Sequence, residues 1–172
     1  LPGILSPFEL RVAQTIFFGA ALALAWTIIG GFAGYFSFGH TVFVGIGAFV
    51  AGLVQTGFAW PHPAVGLLLA LVLAVAVTAA FAAAIAYPIL RLRGVYFAIA
   101  MLGTSLVVAE VSRSFDVFQG AMGIVFPSIV PRAVSPEIFF YYAFLALAVL
   151  AFLVAALTRY SRFGFEIGRA HV

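Results

Sequence analysis

From residue 12 to residue 90 the chain carries no Asp, Glu, Lys or Arg, a charge-free run of 79 residues. A water-soluble domain cannot leave so long a stretch without charge, because its surface must stay solvated and charged residues normally supply about a quarter of a globular composition. Here they supply 8%, and mean hydropathy is +1.25. A helical crossing of a hydrocarbon core takes about 20 apolar residues, so the run has room for about three crossings with their turns. The expected fold is all-α, a polytopic transmembrane helical bundle of about five membrane segments. The function must then be one that a membrane domain performs.

Composition excludes several chemistries. All eight basic residues are Arg. A phosphate-binding P-loop uses a Lys to reach the β and γ phosphates, so any ATP used on this chain's behalf is bound by another subunit. Without Cys there is no disulfide framework, thiolate metal site or cysteine nucleophile. No catalytic residue, cofactor or metal is expected. The basic pI of about 9.7 rests on a net charge of +3 from a few charges at segment ends. These read as topology signals, and no nucleic-acid partner follows from them.

Turn residues and charges divide the chain into blocks. Residues 1–11, with Pro2, Gly3 and Pro7, read as an extended approach to the membrane. Residues 12–29 form a helix candidate whose polar positions, Gln14 and Thr15, lie near its start. The segment GGFAGYFSFGH, residues 30–40, interrupts the apolar sequence. Residues 41–59 resume it, closed by Trp60-Pro61-His62-Pro63 at a water boundary. Residues 64–87 are the plainest crossing, ended by Pro88 and the pair Arg91, Arg93. Gly94 opens a shorter apolar block to residue 109, after which Glu110, Arg113 and Asp116 restore charge. Residues 119–137 suit a loop outside the membrane, and residues 138–157 give another crossing before Arg159 and Arg162. No repeat of 20 to 50 residues and no linker divides the chain.

Short loops rich in Arg stay on the cytoplasmic side. Placing Arg91 with Arg93 and Arg159 with Arg162 inside requires an even number of crossings between the pairs, and two candidates lie there. Residues 113–137 and Trp60 to Pro63 then lie outside, and with full crossings before them so do residues 1–11. An outside N-terminus without an initiating Met is expected to follow at least one missing helix.

The Gly-rich interruption has two readings. It is a tight cytoplasmic turn, with Gly45, Gly47 and Gly52 allowing close helix packing, or a helix broken at membrane depth, where irregular backbone lines a cavity and transporters bind substrate. The second reading moves the parity of the N-terminus. His40 reads as an interfacial amphipathic residue ahead of a proton relay. Arg91 and Arg93 read as a helix-end topology anchor ahead of a contact with an ATPase or lipid phosphates. Glu110, beside Ser112, Arg113 and Ser114, reads as an outer-interface residue rather than a buried member of a pathway.

Three stretches together, GGFAGYFSFGHTVFVGIGAF, PILRLRGVYFAIAMLG and FDVFQGAMGI, resemble the membrane subunit of the bacterial branched-chain amino acid ABC transporters. Their order and spacing, chiefly through Leu90 to Gly94 and Tyr96 to Ile99, are similar to the LivM-type subunit rather than the LivH type. The resemblance covers roughly residues 8–164. It implies an all-helical permease in the lipid bilayer of a bacterial inner membrane, partnered by a second permease subunit, two ATPase subunits and a periplasmic substrate-binding protein. It also implies that Gly34, Ser37, Gly39, His40, Phe43, Gly45 and Gly47 line or shape the substrate pathway. Val95, Leu106 and Ala109 depart from the charged residues common at those places, while Glu110 and Arg113, one turn apart, can form a local outer ion pair.

After residue 164 similar proteins continue into a basic stretch and an ATPase-docking loop. Here the chain reads FEIGRAHV, and Ile167 to Val172 are the residues that a common sequencing adapter yields when translated in frame. The expectation is a permease domain over residues 1–165, truncated at both ends, with a non-native tail at 166–172. The expected function is part of the translocation pathway for branched-chain or similar amino acids. The alternatives are a urea or amide permease of the same family, against which His40 in place of Gln argues, an ATPase-independent channel or secondary carrier, and a structural membrane subunit without a pathway.

Overall fold

The structure, a computed structural model, describes residues 6–32, 34–35, 37–114 and 135–160. It contains helices α1 (Pro7–Thr27), α2 (His40–Gly57), α3 (Pro63–Ile89), α4 (Val95–Ser114) and α5 (Pro136–Tyr160), with a π-helical turn, Ile28–Phe32, continuing α1. No strand occurs among the described residues. All five helices are long and apolar enough to cross a membrane, and the chain is a multi-pass membrane protein. The expectations for Asp116, Arg162, the loop at 119–134 and the tail at 166–172 lie outside the described residues.

Several boundaries differ from those expected, each for a local reason. The approach segment is helical from Pro7. Ser6 is the N-cap: its hydroxyl accepts from Glu9 N at 3.3 Å, and Glu9 Oε2 accepts from Ser6 N at 2.7 Å. With Pro7 at the first helical position, this is a capping box that satisfies two otherwise orphaned donors. Proline marked a start here, not an extended strand. Helix α3 likewise runs through Pro88 to Ile89, α4 passes residue 109 and carries Glu110 and Arg113 in its last turns, and Pro136 and Glu137 open α5 instead of closing a loop. Ser6→Ala is expected to destabilise α1 by about 1 kcal/mol, measurable by SDS titration of the purified chain. An unchanged midpoint would show that the box contributes nothing.

The helices group into two compact units, one holding α1 with α5 and the other α2 to α4. In the first, Arg11 Nη2 lies 3.5 Å from Glu137 Oε1, and Gln14 Nε2 donates to Glu137 O at 2.8 Å. Phe17 meets Tyr141 edge-on with ring centroids 5.5 Å apart, and Phe18 meets Phe144 at 5.7 Å. Residue numbers rise together along this seam, so α1 and α5 are parallel. Parallel helices in a bilayer need an odd number of crossings between them, and three apolar helices intervene.

In the second unit α2 and α3 form an antiparallel hairpin. Phe43 meets Phe81 with ring centroids 6.4 Å apart. At the corner Trp60 Nε1 donates to Val54 O at 3.0 Å, and its indole lies over Gly66, where an added Cβ would come within 2.7 Å of the ring. The α3–α4 corner turns at Gly94, whose φ of 57° lies in the left-handed region. Arg91 stacks 4.1 Å over the Tyr87 ring there. Helix α3 has a mean hydropathy of 2.7 and leaves Leu68, Val72 and Val75 exposed, as a helix apolar all round does when lipid or a partner covers it. Helix α2 is the most enclosed of the five, 22% buried against 6 to 11% for the others.

Candidate functional site

Helix α2 presents two faces at helical spacing, and these sort the residues of the Gly-rich motif. His40, Phe43 and Gly47 recur at intervals of three and four. Phe43 reaches Phe81 of α3, His40 meets Phe43 edge-on at 6.4 Å, and a Cβ on Gly47 would lie 3.6 Å from Thr78 Oγ1 of α3. Thr41, Val42, Gly45 and Phe49 form the other face. They line a cleft of about 230 Å³ whose opposite wall is Ser105, Val108, Ala109 and Ser112 of α4. With Gly39 against Met101 and the cleft lined by residues that follow each of them in the chain, α2 and α4 run parallel.

The two helices touch beside one end of the cleft. A Cβ on Gly39 would fall 2.5 Å from Met101 Cε, 3.0 Å from Met101 O and 3.3 Å from Met101 Cβ. Gly39 is the N-cap of α2 with φ −95°, so close approach explains it and a positive φ does not. The left-handed position in this segment is Gly34, at φ 66°. Ser37 is buried.

The cleft walls are chiefly apolar with hydroxyls at intervals. Ser105 Oγ donates to Leu102 O at 2.6 Å and Ser112 Oγ to Ala109 O at 2.8 Å. Each hydroxyl hydrogen is thereby used within α4, while the oxygens keep acceptor capacity. Near Ser112, Arg113 Nη1 lies 3.4 Å from Glu110 Oε2, both exposed. Such a surface pair contributes little. Arg91, Arg93 and Arg159 are exposed at helix ends. No group of three or more His, Cys, Asp or Glu that could hold a metal occurs among the described residues.

Of the seven motif residues expected to line or shape a pathway, Gly45 alone lines this cleft, while His40, Phe43 and Gly47 occupy the α3 face and Gly39 a helix contact. Sequence reading missed the α4 wall. Its signal was present: Ser105, Val108, Ala109 and Ser112 sit at spacings of three, four and seven, one stripe of a helix.

A family profile described as branched-chain amino acid transport system / permease component matches residues 10–169. The chain belongs to this family. No curated protein and no solved structure matches it at a significant level. Membership makes the chain a transport permease component, and it bears out the resemblance carried by the three stretches around Gly39, Arg93 and Gly120.

Proposed function

We propose that the chain is a permease subunit of an ATP-driven importer in a bacterial inner membrane, and that the α2–α4 cleft forms part of the wall of its pathway for branched-chain or similar amino acids. The cleft carries this reading. Val42, Phe49, Val108 and Ala109 suit an apolar side chain, and the hydroxyl oxygens of Ser105 and Ser112 suit a hydrogen-bond donor such as an ammonium group. This chain carries no Lys for a P-loop, and in this reading two separate ATPase subunits bind the ATP. A second permease subunit completes the pathway, and a periplasmic binding protein delivers solute. Gly34 and Ser37 shape the turn that sets the start of α2.

Coupling to a proton or sodium gradient would call for ionisable groups within the membrane. Glu110, the acid of α4, sits exposed near the helix end and paired to Arg113. The expected result in proteoliposomes holding the assembled transporter is leucine uptake that requires both ATP and the binding protein. Uptake without ATP would replace this reading with a carrier or channel. Transport of urea in place of leucine would move the chain to the urea and amide branch.

A further inference from the structure

We infer that Gly45 sets the size of solute that the α2–α4 cleft admits, an inference that rests on the cleft being part of the amino-acid pathway. A glycine inside a helix is destabilising relative to alanine, because it loses more backbone freedom on folding. Its presence needs a reason, and close packing is the usual one in a membrane bundle. That reason holds at three glycines of this unit, though not at Gly57 or Gly103. Gly39 has Met101 against it, Gly47 faces Thr78, and Gly66 lies under the Trp60 ring. At Gly45 it fails: an added Cβ would meet nothing within 4 Å.

What Gly45 does have is a position on the cleft wall, with Thr41 and Val42 one turn before it and Phe49 one turn after. The space its missing side chain leaves is cleft space. At about 230 Å³ the cleft is below the roughly 300–1,000 Å³ of sites for drug-sized ligands, so a single methyl or isopropyl group removes a meaningful share of it. A pocket with apolar walls discriminates by roughly 10 to 200-fold for one methylene of misfit. The residue controls what passes without holding anything in place.

The test compares Gly45→Ala and Gly45→Val with the parent in the assembled transporter, using labelled alanine, valine and leucine. Gly103→Ala serves as control, since Gly103 is an exposed α4 glycine with equally open space that does not line the cleft. Gly45→Ala is expected to keep alanine uptake within about twofold while lowering leucine uptake about tenfold or more. Gly45→Val should extend the loss to valine, and Gly103→Ala should leave all three in the parental ratio. An unchanged alanine-to-leucine ratio in Gly45→Ala overturns the size role while leaving the permease reading intact. A uniform fall for all three substrates also overturns it, because that marks packing. A parent transporter that imports none of the three overturns the functional reading and this inference together.

Discussion

Gly39→Val is expected to abolish amino-acid uptake by the assembled transporter while leaving the chain inserted in the membrane. A Cβ there would lie 3.0 Å from the carbonyl oxygen of Met101 and 2.5 Å from its Cε. The methionine tip can swing aside, since the side chain is unbranched and adaptable. The backbone oxygen cannot, so α2 and α4 must separate just beside the cleft. Overpacking of this kind costs about 1–3 kcal/mol, enough to shift a conformational balance by roughly 5- to 150-fold. Gly39→Ala should show a smaller loss, and adding Met101→Ala to Gly39→Val should recover part of the uptake, because contacting residues couple. Ala76→Val, an exchange at an exposed position of α3, should be tolerated. Normal uptake by Gly39→Val at wild-type membrane levels would show that the contact has no role in transport.

Cysteines introduced singly at Leu92 and Ser135 are expected to label oppositely with an impermeant thiol reagent in intact cells, Ser135→Cys from outside and Leu92→Cys after the membrane is opened. The chain has no cysteine of its own, so the signal is all or none. Leu92 lies between Arg91 and Arg93, exposed at the α3–α4 corner, and the positive-inside rule places that corner in the cytoplasm. Ser135 precedes α5, whose first turn carries Glu137 beside Arg11 of α1, so both helix starts share one side of the membrane. Ser6→Cys should therefore label with Ser135→Cys. Labelling of Leu92→Cys from outside would invert the topology, and a split between Ser6 and Ser135 would contradict the parallel α1–α5 pair.

The crossings could be read from the sequence because each depends only on length and apolarity, quantities local to a segment. The boundaries that moved were local as well. Ser6-Pro7-Phe8-Glu9 spells a capping box, and reading its proline as a breaker instead of a first-turn residue shortened α1. The Gly-rich motif stood out, yet its division into an α3 face and a cleft face did not, since that depends on which neighbour each side of α2 meets. The contact of Gly39 with Met101 joins residues far apart in the chain. Nothing around either announces the other, because a membrane helix surrounded by apolar material carries no solvent-facing side to orient it. The same lack of contrast hid the α4 wall, whose serines read as interface residues or went unremarked.

The parallel seam between α1 and α5 also dictates an order of manufacture. Its ion pair joins positions 126 residues apart, whereas α2, α3 and α4 follow one another with short connections. A chain emerging from the ribosome folds its early, contiguous elements first, and contacts between distant positions wait for the intervening chain. Helix α1 must therefore wait for α5 while the next three are made, with Arg11 lacking its Glu137 partner until then. Within this chain, the second unit is complete before the first can close.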